Sequence, residues 1–425
     1  MLNLRHIEFE NNGKRVVYQY TFDASLDKYF KKSNLFFSEY DVDVSMVPHS
    51  VLVVPFLANF TPISWFAGFD ITVDEVDEDF YKALQNIKQE LEKHHPALQG
   101  KESKLVGNLT NNEKSGEKSA MLFSGGVDAF ATYFRHFDEY PDLITIKGAD
   151  IELSDTKQWD EVVSFNENEP ILKNNDRHYV ISNLKDFYTY EVDLLLPTPG
   201  WWGNIQHGLA LIGALAPLSH IKGYGRIYIA STRSIHMAFN AWGSMPETDE
   251  KISWAGLQVH HDGFELKRQE KVDLIVDSLK KLNKNTTLRV CYSEIKKDLN
   301  CSHCEKCVRT IYGIILAGGN PNDFGFKADK NIYERIQNTV SRGFRTKGAQ
   351  FFWSELAQKA RTADNAFYFE DAVAEKQSRT NLLAVIDEQT AKEIAKMTGL
   401  KKLKFKLINS YPKLFQAYLN FRRGS

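Results

Sequence analysis

The sequence predicts an α/β protein built around a doubly wound parallel sheet. In the middle of the 425-residue chain, short apolar runs alternate with longer, helix-like segments, and one run ends in a glycine-rich loop followed by a helix. Such alternation is typical of β-α-β units, whose strands are buried on both faces. The predicted divisions, in chain order, are a β-rich α+β domain over 1–99, a linker over 100–118, the doubly wound domain over 119–320 and a helical domain over 321–425.

Bulk composition narrows the class of protein. A chain of this length predicts more than one hydrophobic core. The formal net charge of -2 argues against a generally basic surface that coats nucleic acid, and it leaves a local basic patch open. The opening residues lack the apolar core of a signal peptide, no apolar run reaches the roughly 18–20 residues of a membrane span, and four cysteines are too few for a secreted disulfide scaffold. We expect a cytoplasmic protein with no membrane partner.

The first hundred residues indicate strands and then a helix. Arg5–Phe9 and Val16–Phe22 flank Asn11-Asn12-Gly13, a strong hairpin signal. Ser50–Phe56 is a further short apolar run, which we expect to be a strand. Asp77–His95 carries apolar residues at spacings of three and four, as an amphipathic helix does. The predicted linker follows, with glycine and few large apolar residues.

The rest of the chain divides into an α/β part and a helical part. The predicted strands of the α/β part are Ala120–Phe123, Leu143–Ile146, Tyr179–Ile181 and Ile227–Ala230, with a helix over Asn204–Leu218. The predicted C-terminal helices are Lys330–Gly343, Ala349–Thr362, Asn381–Val385, Glu388–Met397 and Tyr411–Phe421. The last stretch, from Lys401 to Arg423, is basic. A solvated helical face explains it, with an anionic partner as the alternative.

The loop Ser124-Gly125-Gly126-Val127-Asp128 is a candidate anion site. A strand followed by glycines and a helix brings several backbone N–H groups and a helix N-terminus to one point, and glycine lets a phosphate approach the backbone. The spacing differs from G-x-x-x-x-G-K-[ST] and from G-x-G-x-x-G. One exposed helix end contributes only about 0.3–1 kcal/mol, so a metal ion or cationic side chains must help to hold a triphosphate.

All four cysteines of the chain fall in one segment, as Cys291-x9-Cys301-x2-Cys304-x2-Cys307. Four thiolates on tight turns can surround a tetrahedral Zn²⁺ at about 2.3 Å each. Such a site is structural, because four protein ligands leave no position open for a substrate. An iron–sulfur cluster, a redox pair and four separate reduced thiols are the alternatives.

Both motifs resemble those of one enzyme superfamily. The loop resembles the S-G-G-x-D-S signature of the PP-loop ATP pyrophosphatases, whose domain is HUP-like, except that Ala129 replaces the final serine. The cysteine segment, with its order and its distance from the loop, resembles the zinc knuckle of 7-cyano-7-deazaguanine synthase. The resemblance covers roughly 117–320. It implies ATP with Mg²⁺ as ligands and a structural Zn²⁺ held by Cys291, Cys301, Cys304 and Cys307.

The resemblance also implies roles for individual residues. Ser124 and Asp128 are the candidate catalytic residues. In place of the family's Pro-Gly-Arg-Asn stretch stand Trp201, Trp202 and Asn204, which become candidate substrate contacts together with Arg233. A core position is the alternative for the two tryptophans, and a surface position is the alternative for Arg233. The implied ATP-binding residues are Phe123, Ser124, Gly125, Gly126, Val127, Asp128 and Ala129.

The implied activity is ATP-dependent activation of the carboxylate of a 7-carboxy-7-deazaguanine as an acyl-adenylate. The flanking segments make up nearly half of the chain, which favours an amine of a partner protein as the acceptor of the acyl group. Multidomain proteins that resemble this synthase occur in bacterial anti-phage operons. The resemblance therefore implies a role in defence. Nitrile synthesis with ammonia and a catalytically inactive nucleotide-binding scaffold or sensor are the alternatives. Nucleic-acid binding by the flanking segments stays open.

Overall fold

A mostly parallel sheet of ten strands runs through the residues that the computed structural model describes. The described residues are 1–31, 35–114, 116–237, 242–291, 299–344, 346–363 and 371–392. The strands, β1 to β10 in chain order, are Leu2–Glu10, Arg15–Phe22, Phe36–Tyr40, Ile71–Asp77, Leu105–Thr110, Lys118–Leu122, Asp142–Lys147, Arg177–Ser182, Tyr224–Ala230 and Gln258–Asp262.

Helices cover the sheet and form the C-terminal part. None of the helices in the described part of the chain is long and apolar enough to cross a bilayer. Short 3₁₀ turns lie at Ala24–Leu26, Pro96–Leu98, Phe137–Glu139, Pro170–Leu172, Tyr190–Leu195 and Pro321–Phe324, and a π-helix at Trp202–Gln206. The α-helices, α1 to α13, are His49–Leu52, Val54–Ala67, Glu78–Glu92, Val127–Arg135, Thr156–Asn168, His207–Gly213, Ala216–Lys222, Pro246–Asp249, Arg268–Leu282, Glu305–Leu316, Ile332–Val340, Lys347–Thr362 and Ala372–Thr390.

The strand order is β10-β9-β6-β7-β8-β3-β2-β1-β4-β5. The block from β10 to β8 is parallel throughout, and β6 lies between β7 and β9. The chain therefore leaves β6 toward one neighbour and returns on its other side. In open α/β sheets the crevice at such a reversal of strand order is where ligands bind.

Both faces of this parallel block are buried, each in its own hydrophobic cluster. In β6, Ala120 joins one cluster and Met121 the other. Ile227 and Tyr228 of β9 are divided between the clusters in the same way. Because successive side chains of a strand point to opposite faces, the sheet needs apolar residues at almost every position. The prediction of an α/β fold with a mostly parallel sheet is confirmed.

The N-terminal residues extend this sheet. The predicted hairpin is confirmed as β1 and β2, and its turn places Asn11 and Asn12 at φ of 50° and 56°. β3 pairs antiparallel with β8, which joins the N-terminal strands to the parallel block within one sheet. The predicted linker over 100–118 is corrected in part, since it contains β5, which pairs with β4. An edge strand with partly exposed side chains needs few large apolar residues, which explains the polar composition.

The run Ser50–Phe56 is helical, and the strand prediction for it was wrong. It spans α1 and the beginning of α2, whose residues from Val54 to Phe66 are all buried. A helix that is buried on every side has no polar face, so its sequence lacks the periodicity that distinguishes helix from strand. The amphipathic helix predicted over Asp77–His95 is confirmed as α3, with Asp77 as its N-cap.

The C-terminal helices pack against the cluster that contains Met121. Side chains of α11, α12 and α13 belong to this cluster together with those of α9 and α10. One helix, α13, replaces two predicted ones. It contains Asn381–Val385 and the part of Glu388–Met397 up to residue 390. The predicted helix Tyr411–Phe421 and the basic stretch from Lys401 lie outside the described residues.

A buried histidine lies where the N-terminal strands meet the parallel block. His178 of β8 places Nδ1 2.8 Å from Asp41 Oδ2 and Nε2 3.6 Å from Asp142 Oδ2. Asp142 also accepts a hydrogen bond from the Tyr224 hydroxyl. Burial alone would lower the pKa of His178, but the two carboxylates outweigh burial and raise it to about 9. The protonated ring therefore bridges the two parts of the sheet.

This bridge predicts an alkaline loss of stability. The folded protein holds the His178 proton up to a pH of about 9, whereas the usual pKa is 6.5. The contribution is complete below pH 6.5 and disappears as the pH rises through 9, with a loss of up to about 3 kcal/mol in the free energy of unfolding. Urea unfolding between pH 6 and pH 9.5 measures it. His178→Gln should flatten the decline, and the exposed control His6→Gln should leave it unchanged. An equal decline in all three proteins would contradict the assignment.

Candidate functional site

The loop after β6 has the backbone that its glycines predict. Gly125 adopts φ +72°, and a Cβ there would lie 2.9 Å from Cε1 of Phe165. Any other residue would be strained and would collide with that ring. Gly126 is the N-cap of α4, and its N–H donates to Ser124 Oγ at 3.3 Å. The loop therefore turns sharply from the end of β6 into the N-terminus of α4.

Arg289 holds the loop in place through two of its backbone carbonyl oxygens. Its backbone N–H donates to the carbonyl oxygen of Gly125 at 2.7 Å, and its guanidinium donates to the carbonyl oxygen of Ser124 at 3.0 Å. Arg289 thus engages the negative ends of two loop peptides. Because Val127 and Asp128 of the first helical turn line the adjacent cavity, the positive end of the α4 dipole faces that cavity.

A cavity of about 420 Å³ lies at the carboxyl ends of β6, β7 and β9. Cationic side chains dominate its charged lining. Only two carboxylates among the described residues, Asp128 and Asp150, accompany them. The net positive lining indicates an anionic ligand. The cations that line the cavity are Arg268, Arg289, Lys306 and Arg309.

Asp128 is already paired with cations. Its Oδ2 lies 2.5 Å from Nη1 of Arg268, and its Oδ1 lies 3.3 Å from Nζ of Lys271. Burial raises the pKa of the Asp128 carboxyl, but Arg268 and Lys271 outweigh burial and hold the pKa below its usual value. Asp128 is therefore ionised at neutral pH and is available to a divalent cation once these partners move.

Two further cations of the lining, Lys306 and Arg309, are buried and lie close to other charged groups. Burial, together with the neighbouring charges of Arg309 and Arg268, lowers the pKa of Lys306 to about 8. Burial likewise lowers the pKa of Arg309 to about 10, although Glu305 offsets part of the effect. Burial is the main cause of both shifts, and the negative charge of a bound anion would oppose them.

Aromatic side chains line another part of the cavity. The ring of His207 lies 5.3 Å from that of Trp202 and 5.5 Å from that of Trp242. Trp202 begins a π-helix, and Trp242 packs so closely on Gly203 that a Cβ there would lie 2.9 Å from the indole ring. π-helical turns occur frequently at functional sites. These flat surfaces can hold a planar ring.

The four predicted substrate contacts separate in the structure. Trp202 lines the cavity. Trp201 is fully buried and packs its ring 5.2 Å from that of Phe66, so the alternative of a core aromatic is correct for it. Asn204 and Arg233 are not among the lining residues, and the segment of Arg233 contributes Thr232 instead. Trp201 and Trp202 differ because consecutive residues at the beginning of a helix point in different directions. Every predicted ATP-binding residue except Gly125 lines the cavity.

The four cysteines come together in one group that can hold a metal ion. Their sulfur atoms all lie within 4.8 Å of one another, and the pairs Cys291–Cys304 and Cys301–Cys307 are both 3.8 Å apart. Four ligands at about 2.3 Å from a tetrahedral zinc ion are separated by about 3.8 Å. The Cys301 sulfur also accepts the Cys304 backbone N–H at 3.2 Å, a contact that stabilises a thiolate. The donor set and its dimensions fit zinc.

Several lining residues escaped prediction, and three of them belong to the cysteine segment. Arg289 precedes Cys291 by two residues, Lys306 lies between Cys304 and Cys307, and Arg309 follows two residues later. The two cations beside the cysteines could have been noticed from their place in that motif. The others carry no local signal because distant segments supply them. They are Arg268, His207, Trp242 and, from α12, Phe352.

Comparisons of the chain with protein-family models, with curated proteins and with solved structures each find no match. The function must therefore follow from the chemistry of the cavity and of the cysteine group.

The cysteine group predicts one tightly bound zinc ion per chain. Elemental analysis of purified protein should find it, and Co²⁺ substitution should give the absorption of a tetrahedral thiolate site. Cys301→Ser should lose the metal and lower the melting temperature, because the segment between α9 and α10 is then untied. His303→Ala is the matched control, since His303 is exposed and lies between two of the cysteines. Metal retained by Cys301→Ser but lost from His303→Ala would contradict the ligand set.

Proposed function

We propose that this chain is an ATP-dependent, adenylate-forming enzyme of the PP-loop ATP pyrophosphatase type, similar to 7-cyano-7-deazaguanine synthase. One observation carries the proposal: the loop from Ser124 to Asp128 opens into a cavity that is lined by four cations. The position of β6 between β7 and β9, with the loop at its carboxyl end, supports a PP-loop fold for the α/β part. In this proposal the cysteine group holds a structural Zn²⁺.

The polar part of the cavity would hold the triphosphate. The loop and the N-terminus of α4 offer backbone N–H groups, and Arg268, Lys306 and Arg309 offer charged donors. Each hydrogen bond to a charged group contributes about 1.5–3 kcal/mol, several times the share of an exposed helix end. Asp128 would hold the Mg²⁺ that accompanies the nucleotide. The loop alone binds a triphosphate too weakly, and these cations would supply the additional binding energy.

The aromatic part suits the second substrate. Trp202, His207 and Trp242 present flat surfaces to the cavity, and a base stacked on an aromatic side chain gains about 1–3 kcal/mol. A 7-carboxy-7-deazaguanine combines a planar ring with a carboxylate. Lys306 and Arg309 would serve that carboxylate as well as the phosphates, because the carboxylate must approach the α-phosphorus to react. A carboxylate of this class is therefore the proposed substrate.

The proposed reaction has two steps. A carboxylate oxygen attacks the α-phosphorus of ATP, the bond to the β-phosphate breaks, and pyrophosphate leaves. The amine nitrogen then attacks the acyl carbon, AMP leaves, and the nitrogen loses a proton to form the amide. The chain's contribution is to align the carboxylate with the α-phosphorus and to stabilise the charge on the departing pyrophosphate through the loop and Arg268.

A partner protein is the proposed source of the amine, in a defence role. Segments outside the α/β part reach the site, since Phe352 of α12 lines the cavity. With ammonia as the amine, and a second activation of the amide, the product would be a nitrile. The alternative of an inactive nucleotide-binding scaffold is favoured by Ala129, which is 3% exposed, lines the cavity and lacks the hydroxyl of the signature serine.

Turnover tests the proposal directly. With Mg²⁺, ATP, 7-carboxy-7-deazaguanine and ammonia as the amine, the protein should form AMP and pyrophosphate in equal amounts. Asp128→Asn should lower this rate on the order of 100-fold or more, because a charge at the reacting phosphates is lost. Asp160→Asn, at an exposed position of α5, is the control and should be fully active. ADP with phosphate as the products, or full activity of Asp128→Asn, would contradict the proposal.

Ala129 offers a gain-of-function test. Ala129→Ser should tighten Mg²⁺-ATP binding by roughly threefold to tenfold, the equivalent of one hydrogen bond to a phosphate oxygen. Ala131→Ser adds the same hydroxyl to the same helix at a buried position that does not line the cavity, and it should bring no gain. Calorimetric titration of the three proteins compares the affinities. Equal tightening by both substitutions would show that the hydroxyl at residue 129 does not contact the nucleotide.

A further inference from the structure

A buried carboxyl group lies directly behind the cationic wall of the cavity. Glu355 of α12 is 6% exposed, and neither of its carboxyl oxygens makes a side-chain hydrogen bond of normal geometry with a described residue. It lines a small cavity of about 10 Å³ with Arg268, Arg309 and Phe352. These last three residues also line the large cavity. Glu355 is therefore separated from the ligand space by one layer of side chains.

The charged groups around Glu355 are mainly cationic, but none of those described forms an ion pair with it. Burial is the main influence and raises the pKa of its carboxyl to about 7. The backbone N–H and the charge of Arg268 oppose this rise, Lys267 of the same segment adds to their effect, and Glu270 acts in the other direction. Arg309 of α10 is a further charged group beside Glu355. Near neutral pH Glu355 is thus a partly protonated acid beside a guanidinium that pairs elsewhere.

That guanidinium pairs with Asp128, and the proposed function makes a competing demand on this carboxylate. Asp128 cannot hold both Arg268 and Lys271 closely and also turn its oxygens to Mg²⁺. When the cation arrives, Arg268 loses its partner although its side chain is only 18% exposed. The triphosphate can engage some of the N–H donors of Arg268. A guanidinium has five such donors, so a second carboxylate within reach can accept those that Asp128 gives up.

We propose that Glu355 is this second carboxylate, so that Arg268 exchanges from Asp128 to Glu355 when Mg²⁺ and a triphosphate enter the cavity. Glu355 releases its proton to solvent as the guanidinium arrives. It is a positioning residue, which keeps Arg268 beside the phosphates without touching them. The inference rests on the proposed function, because Mg²⁺-ATP is the ligand that creates the demand.

The exchange would make α12 part of the response to ligand. The guanidinium of Arg309 lies 4.5 Å from the ring centre of Phe352, and the indole N–H of Trp353 donates to Glu305 at 2.9 Å. Both contacts join α12 to α10, which carries cavity cations. A shift of Arg268 toward Glu355 therefore acts on a helix that is already attached to the site.

Proton release on ligand binding tests the exchange. Titrating the full chain with ATP in excess Mg²⁺, in buffers of different ionisation enthalpy at pH 7, counts the protons. Because the pKa of Glu355 is about 7, its ionisation releases about half a proton per site. The wild type should release this amount more than Glu355→Gln, a difference in which any proton uptake by Lys306 cancels. Glu355→Gln should also bind roughly tenfold more weakly, as expected for coupled neighbouring groups.

Two further variants complete the experiment. Glu334→Gln changes an exposed acid of α11 and should behave as the wild type. Glu355→Asp keeps the carboxyl and should keep the proton release. If Glu355→Gln does not fold, Glu355→Ala, which also lacks the carboxyl, replaces it in the comparison. Normal binding with equal proton release in the wild type and Glu355→Gln would overturn the exchange and leave the proposed function intact. If folded wild-type protein does not bind Mg²⁺-ATP, the proposed function fails as well.

Discussion

The two hydrogen bonds from Arg289 to the carbonyl oxygens of Ser124 and Gly125 join the two chemical features of this molecule. Arg289 lies two residues before Cys291, so the segment that leads to the cysteine group also holds the loop. Backbone carbonyl oxygens that face a phosphate would repel it, and here two of them are engaged. A metal ion among the cysteines would therefore stabilise the loop without approaching the ligand.

Charge in the cavity follows from the same arrangement. The cysteine segment contributes Lys306 and Arg309 to the cavity wall, and α9 contributes Arg268, which pairs with Asp128. The single loop carboxylate carries two cationic partners. Burial, together with neighbouring cations, lowers the pKa values of Lys306 and Arg309. A triphosphate with Mg²⁺ would relieve both conditions at once, because it brings negative charge to the wall and a new partner to Asp128.

Sequence reasoning succeeded where chemistry is encoded locally. The loop and the cysteine spacing are continuous motifs, and the structure brings each together as a unit. It failed where tertiary contacts decide. Arg268 and Trp242 reach the cavity from segments without any signature, and the fully buried helix α2 has no polar face to reveal its period. The edge strand β5 resembled a linker because one side of it is exposed. The register of the π-helix, which separates Trp201 from Trp202, could not be predicted from a Trp-Trp pair.

The central claim is that the cavity activates a carboxylate at the α-phosphorus of ATP, and oxygen transfer tests it most directly. A 7-carboxy-7-deazaguanine labelled with oxygen-18 in its carboxylate is incubated with the protein, ATP, Mg²⁺ and an amine, and the AMP is analysed by mass spectrometry. An acyl-adenylate passes one labelled oxygen to AMP when the amine displaces it, so labelled AMP is the predicted result. Unlabelled AMP, or label in inorganic phosphate together with ADP, would contradict the account.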